Sequence, residues 1–332
     1  MPNTDPGVLL DERSEAEKAK DFHFEEIVTS ADPVNWIEKP QNEWRKFPTF
    51  DQDGSGSCVA QTLKKLQGIH TWLQTGSFVH LSASHIYQRR QNRPKGGMSG
   101  VDAFKIAQKG VTLEQFAPSE KLNDVEMDAV KVTPFMEDVG QIFKLGNYVQ
   151  LPTQDIDTVA SVIQRTGKGV MVWFYFTRSE WSNVPQVKNT SLPLSGTSTL
   201  RHSVAAVDFT LYKGKKALII DESWGIGTAL DGQRVITEDF FKARNWFACY
   251  FTNFAFEEAP IVAPKPRYDR SIKSLQDCLK FEGFFPTNIE STGYFGSITK
   301  NAVIAFQKKY GINPPEGVVG PLTMNKLTNL YP

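Results

Sequence analysis

Cysteine and histidine are scarce in this chain, and it has no net charge. Of 332 residues three are cysteine and five histidine, and the formal net charge is +0. Cys58, Cys249 and Cys278 are odd in number and widely spaced, which excludes a disulfide framework and a zinc ligand set, since both need paired or clustered cysteines. A reducing compartment during folding fits best. Balanced charge with no dense Lys/Arg cluster supplies no basic field for nucleic acid or acidic lipid. Neither nucleic acid nor membrane is therefore expected as a partner. No run approaches the roughly 20 apolar residues of a membrane span. The stretch from Met1 to Asp21 is polar apart from Val8, Leu9 and Leu10, so no secretory signal is expected and synthesis in a cytoplasm is. No His-Glu-x-x-His pattern occurs, which argues against a metallopeptidase. No metal or cofactor is expected.

What is present suits a folded chain of two domains. Hydrophobic residues make up 40% and charged residues 22%, ordinary for a globular protein. Residues 1–32 read as a leader arm, a loose surface helix or disordered, with almost no apolar face. Regular apolar patterning starts at residue 33. Residues 259–270 contain three prolines and read as a stiff linker. They separate a body, 33–258, from a tail, 271–332. The first half of the body reads helical: Val59, Leu63, Leu66, Ile69 and Leu73 recur at helical spacing after Cys58. Residues 102–108 and 155–164 read as further helices, the latter capped by Thr153. The second half reads as strands, at 170–176, 203–207, 217–220 and 249–252. Helices followed by strands indicate an α+β class with segregated halves. No internal repeat is apparent.

Three segments carry chemistry. Gln52 leads into a Gly/Ser-rich turn that ends at Cys58, in the first turn of the predicted helix. Unpaired N–H groups and the helix dipole favour a thiolate there. By itself such a cysteine also reads as a buried structural residue. His202 heads an apolar strand, where a lone histidine is usually structural. Glu222 follows another apolar strand and precedes Ser223, Trp224 and Gly225. A carboxylate here can accept from the imidazole and hold its tautomer, and a tryptophan over that bond can keep water away.

In order and context these segments resemble the papain family: a Gln before a Gly-Ser-Cys nucleophile, a His opening a strand, then Asn-Ser-Trp-Gly, here Glu222-Ser-Trp-Gly. Leu81-Ser82, Gly96-Gly97 and Gly110-Val111 fit the same pattern. The resemblance implies a two-lobed peptidase over residues 33–258, acting on peptide substrates. It implies Cys58 as nucleophile, His202 as base, and Gln52 with the Cys58 N–H as oxyanion donors. Gly96 and Gly97 would admit substrate backbone, and Trp224 would shield the orienting bond. The chain departs from the family in Glu222 for Asn, in Val59 for an aromatic residue, and in lacking a second Gly/Trp-rich stretch after Gly225. Glu222 either supports activity or marks a decayed site. The leader is shorter than the inhibitory pro-segments of many relatives, so zymogen control is not expected.

The tail shows Leu275-Gln276, Leu279, Gly293-Tyr-Phe-Gly296, Thr299, Phe306-Gln307, Gly317-Val-Val-Gly320 and Thr323. It resembles the three-helix peptidoglycan-binding module of cell-wall hydrolases. The pair of domains resembles a bacteriophage endolysin, which implies cutting of peptidoglycan peptides at the bacterial wall. A wall-tethered protease acting on proteins and a catalytically inactive wall-binding protein are the alternatives.

Overall fold

The computed structural model describes residues 7–18, 21–23, 33–181, 200–252, 254–255, 267–286 and 290–332. The chain divides into two compact units, Met1–Glu257 and Glu258–Pro332. The expected linker lies mostly outside the described residues.

The helical half of the first unit is organised by α1 (Cys58–Thr75), which ends at Gly76 in a left-handed conformation. Val59, Leu63, Leu66 and Ile69 are fully buried, as the spacing predicts, while Leu73 at the end is exposed. The other faces are buried as well. Lys64 bonds Ser119 Oγ at 3.0 Å and pairs with Glu114 and Glu120. Lys65 pairs with Asp221 at 3.3 Å. A buried ammonium is tolerated only with such partners, so polar letters at these positions conceal a helix enclosed on every side. The next long helix, α2 (Gly100–Ala107), starts two residues before the expected 102, because Ser99 caps it through the Asp102 N–H.

The second half is a seven-stranded sheet. Its strands are β1 (Phe22–His23), β2 (Tyr148–Leu151), β3 (Val170–Phe176), β4 (Leu200–Tyr212), β5 (Lys215–Asp221), β6 (Gln233–Thr237) and β7 (Asn245–Phe251). Their order is β1-β2-β7-β3-β4-β5-β6. All pairings are antiparallel except β1 with β2. Alternation divides the core in two. Met171, Trp173, Ala205 and Val207 pack toward α1. Val170, Val172, Phe174, Val204 and Ala206 pack on the other face, covered by α3 (Ile156–Thr166) and α4 (Glu238–Arg244). The cap of α3 is Asp155, which accepts from Thr158 N–H, and not the expected Thr153. Burial on both sheet faces makes the strands read as continuous apolar runs.

The second unit is a bundle of α5 (Ile272–Phe281), α6 (Ser297–Lys309) and α7 (Pro321–Leu330) around Leu275, Cys278, Leu279, Ala302, Val303, Phe306 and Leu327. It contains an internal repeat that composition and periodicity do not reveal. Gln276 accepts from Gly293 N–H at 3.0 Å and donates to Tyr294 O and Thr299 Oγ1. Gln307 accepts from Gly317 N–H at 2.9 Å and donates to Val318 O and Thr323 Oγ1. One buried amide thus ties each Gly-x-x-Gly loop to the helix that follows it.

Candidate active site

Cys58 is the first residue of α1. The turn before it is close-packed: a β-carbon on Gly56 would stand 2.3 Å from the Gly97 nitrogen, so only glycine fits. Gln52, also buried, donates from Nε2 to Ser55 O and accepts from Ser223 Oγ at 2.6 Å. The Gln52 N–H bonds Ser223 O at 2.8 Å. Those bonds tie the turn before Cys58 to the segment that carries Glu222 and Trp224.

His202 lies near the start of β4, paired in register with Phe174. The next residue, Ser203, bonds Thr62 of α1 through the two hydroxyls at 3.0 Å, and Arg201 O and Cys58 Sγ both lie against Gly7, so the fold brings the helix that starts at the expected nucleophile to the strand that carries the expected base. The imidazole is buried in an aromatic cage. Its centroid is 5.0 Å from Trp224, 5.7 Å from Trp181 and 6.1 Å from Phe176. Trp181 is not one of the residues the sequence suggests. It follows β3, so a tryptophan outside the three sequence segments covers the ring.

Glu222 is buried behind this cage but does not bond His202. Its Oε1 accepts from Arg234 Nε at 2.9 Å and its Oε2 from Trp181 Nε1 at 2.8 Å. The side chains of Arg234 and Glu222 are 2% and 0% exposed. His202 Nε2 is buried without a hydrogen-bond partner. Arg234 was not legible as a site residue; its only signal is an arginine inside a strand whose neighbours are all buried.

The described part of the leader arm, residues 7–18 and 21–23, is held in place. Val8–Leu9 pairs in parallel with Met98–Ser99, and Met98 N–H bonds Gly7 O at 2.8 Å. A β-carbon on Gly97 would meet Gly7 O at 2.8 Å and Leu9 Cδ2 at 3.2 Å. One on Gly7 would meet Arg201 O at 2.9 Å and Cys58 Sγ at 3.0 Å. Val8 is fully buried. The arm therefore lies beside the Gly96-Gly97 pair and over the sulfur. Arg13 anchors it through Asp11 at 2.8 Å and Asp21 at 2.6 Å, and β1 continues onto the sheet. Gly96 O and Gly97 O accept from Asn92 Nδ2 at 3.3 and 3.1 Å.

This enclosure sets the electrostatics. Burial pushes the Cys58 thiol up to about 12, although the N–H groups of Ser203, Val59 and Cys58 favour the thiolate. Burial, with the Arg234 charge, brings His202 down to about 3. Burial raises Glu222, and Arg234 and Trp181 oppose it. Near neutral pH thiol and imidazole are both uncharged. Burial thus works against the thiolate expected from the helix start, and desolvation outweighs the dipole. Among the described residues no cluster of His, Cys, Asp and Glu could hold a metal ion, and no helix is long and apolar enough to cross a membrane.

The fold is papain-like. The chain is similar to xylellain, a cysteine protease from Xylella fastidiosa, with a TM-score of 0.58 and 17% identity over 76% of this chain and 97% of that one. It is similar to a digestive procathepsin L2 proteinase from Tenebrio molitor larval midgut, with a TM-score of 0.52 and 19% identity over 72% and 81%. It is also similar to the cysteine protease and lectin-like domains of Cwp84, a surface layer associated protein of Clostridium difficile, with a TM-score of 0.53 and 16% identity over 68% and 54%. Residues 269–327 match the family described as "Putative peptidoglycan binding domain". No curated protein matches the chain in sequence.

Proposed function

We propose that this chain is a cysteine endopeptidase that cuts peptide bonds of bacterial peptidoglycan, in the manner of an endolysin: made in a cytoplasm and acting at the cell wall. The observation that carries this reading is the meeting of Cys58, at a helix start, with the strand bearing His202 in a papain-like cleft, on a chain that also holds a peptidoglycan-binding domain. The binding domain keeps the cleft near an insoluble polymer and raises its effective concentration.

In this reading Cys58 attacks the peptide carbonyl as a thiolate. His202 takes the thiol proton and later delivers it to the leaving amine. Gln52 Nε2 and the Cys58 N–H receive the developing oxyanion, Gln52 after releasing Ser55 O. Gly96 and Gly97 line the path of the substrate backbone, which the arm occupies in the closed chain. Trp224 and Trp181 keep water from the imidazole. The arm must leave the cleft before any of this begins.

A second reading has a specific observation in its favour. An extended polypeptide, the chain's own arm, fits the cleft, and Cwp84 is described as surface layer associated; a wall-tethered protease acting on proteins follows from the same site. An inactive wall-binding protein is the third. The test is digestion of purified cell walls, following turbidity and new free amines. The peptidoglycan reading requires release by the wild-type chain and none by Cys58→Ser. Equal behaviour of the two ends the peptidase reading, and cleavage of fluorogenic peptides without muropeptide release selects the second.

A further inference from the structure

We propose that Arg234 is a positioning residue of this site: it holds the Glu222 carboxylate away from His202, and the imidazole is oriented by aromatic packing instead of by an acid. The inference rests on reading Cys58 and His202 as a working pair.

Both oxygens of Glu222 are taken, one by the Arg234 guanidinium at 2.9 Å and the other by the Trp181 indole at 2.8 Å. The same indole packs on both sides. Arg234 Cζ lies 5.4 Å from its ring, and the His202 ring meets it nearly perpendicular, at 85°. The acid and the imidazole thus share a neighbour but no bond, and His202 Nε2 has no acceptor. The family resemblance places a neutral amide at position 222. Glu222 with Arg234 restores that neutrality, because the two charges cancel inside one buried pair. Removing one partner of such a pair strands a charge at a cost of about 3–5 kcal/mol, so an unpaired Glu222 must find another donor or a proton. The partnerless nitrogen of His202 is a donor once the ring is protonated.

The titratable and charged groups around the ring are few. Among the described residues, Arg234 on β6 acts on the ring through its charge, Glu222 lies after β5 on the far side of the Trp181 indole, Arg201 precedes the ring on β4, and Cys58 at the start of α1 lies beside Arg201 O across Gly7. Asp221, next to Glu222, is directed at Lys65 and Gln233. Among the described residues, freeing Glu222 therefore releases beside the cage a negative charge that the wild-type chain holds on Arg234 and Trp181.

The test is an NMR titration of the full chain with 13C-labelled histidine, the His202 signal being assigned by its loss in His202→Ala. In the wild-type chain the ring stays neutral from about pH 8 down to about pH 4. In Arg234→Met it titrates inside that window. In Arg234→Met with Glu222→Gln it is neutral again, which assigns the shift to the freed carboxylate. Trp181→Phe, which removes the N–H donor together with part of the ring, moves the ring of His202 in the same direction by less and serves if Arg234→Met does not fold. A ring that stays neutral in both Arg234→Met and Trp181→Phe, or one that still titrates in the double variant, overturns the proposal. Failure of the underlying reading looks different: the wild-type and Cys58→Ser chains would then act alike on cell walls and on fluorogenic peptides, whatever the His202 titration shows.

Discussion

Gly7 covers the sulfur of Cys58, and there is no room for a side chain between them. Its φ is +61°, a conformation glycine adopts at no cost, and an added β-carbon would lie 3.0 Å from Sγ. The closed cleft therefore depends on glycine at position 7 in two ways, through left-handed backbone and through contact distance.

Gly7→Val should open the cleft. A β-branched residue at positive φ costs roughly 1–3 kcal/mol, and the contact with Arg201 O and Cys58 Sγ adds to it. About 1.4 kcal/mol is tenfold in an equilibrium, so iodoacetamide should alkylate Cys58 in Gly7→Val at least about tenfold faster than in the wild-type chain. Equal rates would mean that the arm does not control access to the thiol.

The same enclosure makes closure pH-dependent on both sides. His202 is lowered from 6.5 to about 3, so its contribution is complete above 6.5 and is lost as pH falls through the folded value. Cys58 is raised from 9.0 to about 12, so its contribution is complete below 9.0 and is lost as pH rises through the folded value. Thermal midpoints of the full chain, measured against pH, should hold level between 6.5 and 9.0 with respect to these two groups and fall on either side. His202→Gln should make the acid side shallower without flattening it, because burial lowers His70 and His85 to about 3 as well, and should leave the alkaline side in place; an unchanged acid side would remove His202 as one of its causes.

Much of this site could be read in the sequence because its parts are local signals. A Gly/Ser turn running into an amphipathic helix fixes where Cys58 stands, and a strand of β-branched residues fixes where His202 starts. Arg234 and Trp181 were hidden because their importance comes from tertiary pairing: neither lies in a pattern of spacing, and both meet Glu222 and His202 only in the folded chain. The arm was misread for a related reason. Val8 and Leu9 are too few to suggest a buried strand, and it is the edge at Met98–Ser99 that gives them structure. In the tail, two loops spaced alike, Gly293-Tyr-Phe-Gly296 and Gly317-Val-Val-Gly320, were visible as letters, but only the hydrogen bonds of Gln276 and Gln307 make them equivalent.

Lys65 tests whether the burial of α1 depends on its charge pair. The ammonium bonds Pro48 O and faces Asp221, and Gln233 Nε2 also bonds that carboxylate at 2.9 Å. Lys65→Met leaves Asp221 buried with the amide as its remaining polar partner, a loss of about 3–5 kcal/mol in urea unfolding at neutral pH. Burial already raises Asp221, so the loss should shrink in acid, where the carboxyl takes a proton. Lys65→Met with Asp221→Asn should recover most of it. A double variant no more stable than the single one would show that α1 depends on packing around Lys65 and not on the pair.

Gln276 and Gln307 allow a test within one domain, because each does the same work in a different place. Replacing either with Leu keeps the volume roughly constant and leaves a Gly N–H, a carbonyl and a Thr hydroxyl without their amide partner. A buried group left unsatisfied costs about 1–3 kcal/mol, so each variant should unfold at lower denaturant by a similar amount. The two losses should add, since the amides share no partner. Circular dichroism of the full chain, with near-ultraviolet signals separating the units, measures both. A large loss at one position and none at the other would mean that the two loops only look alike, and that one of them is held by packing on its helix instead of by the amide.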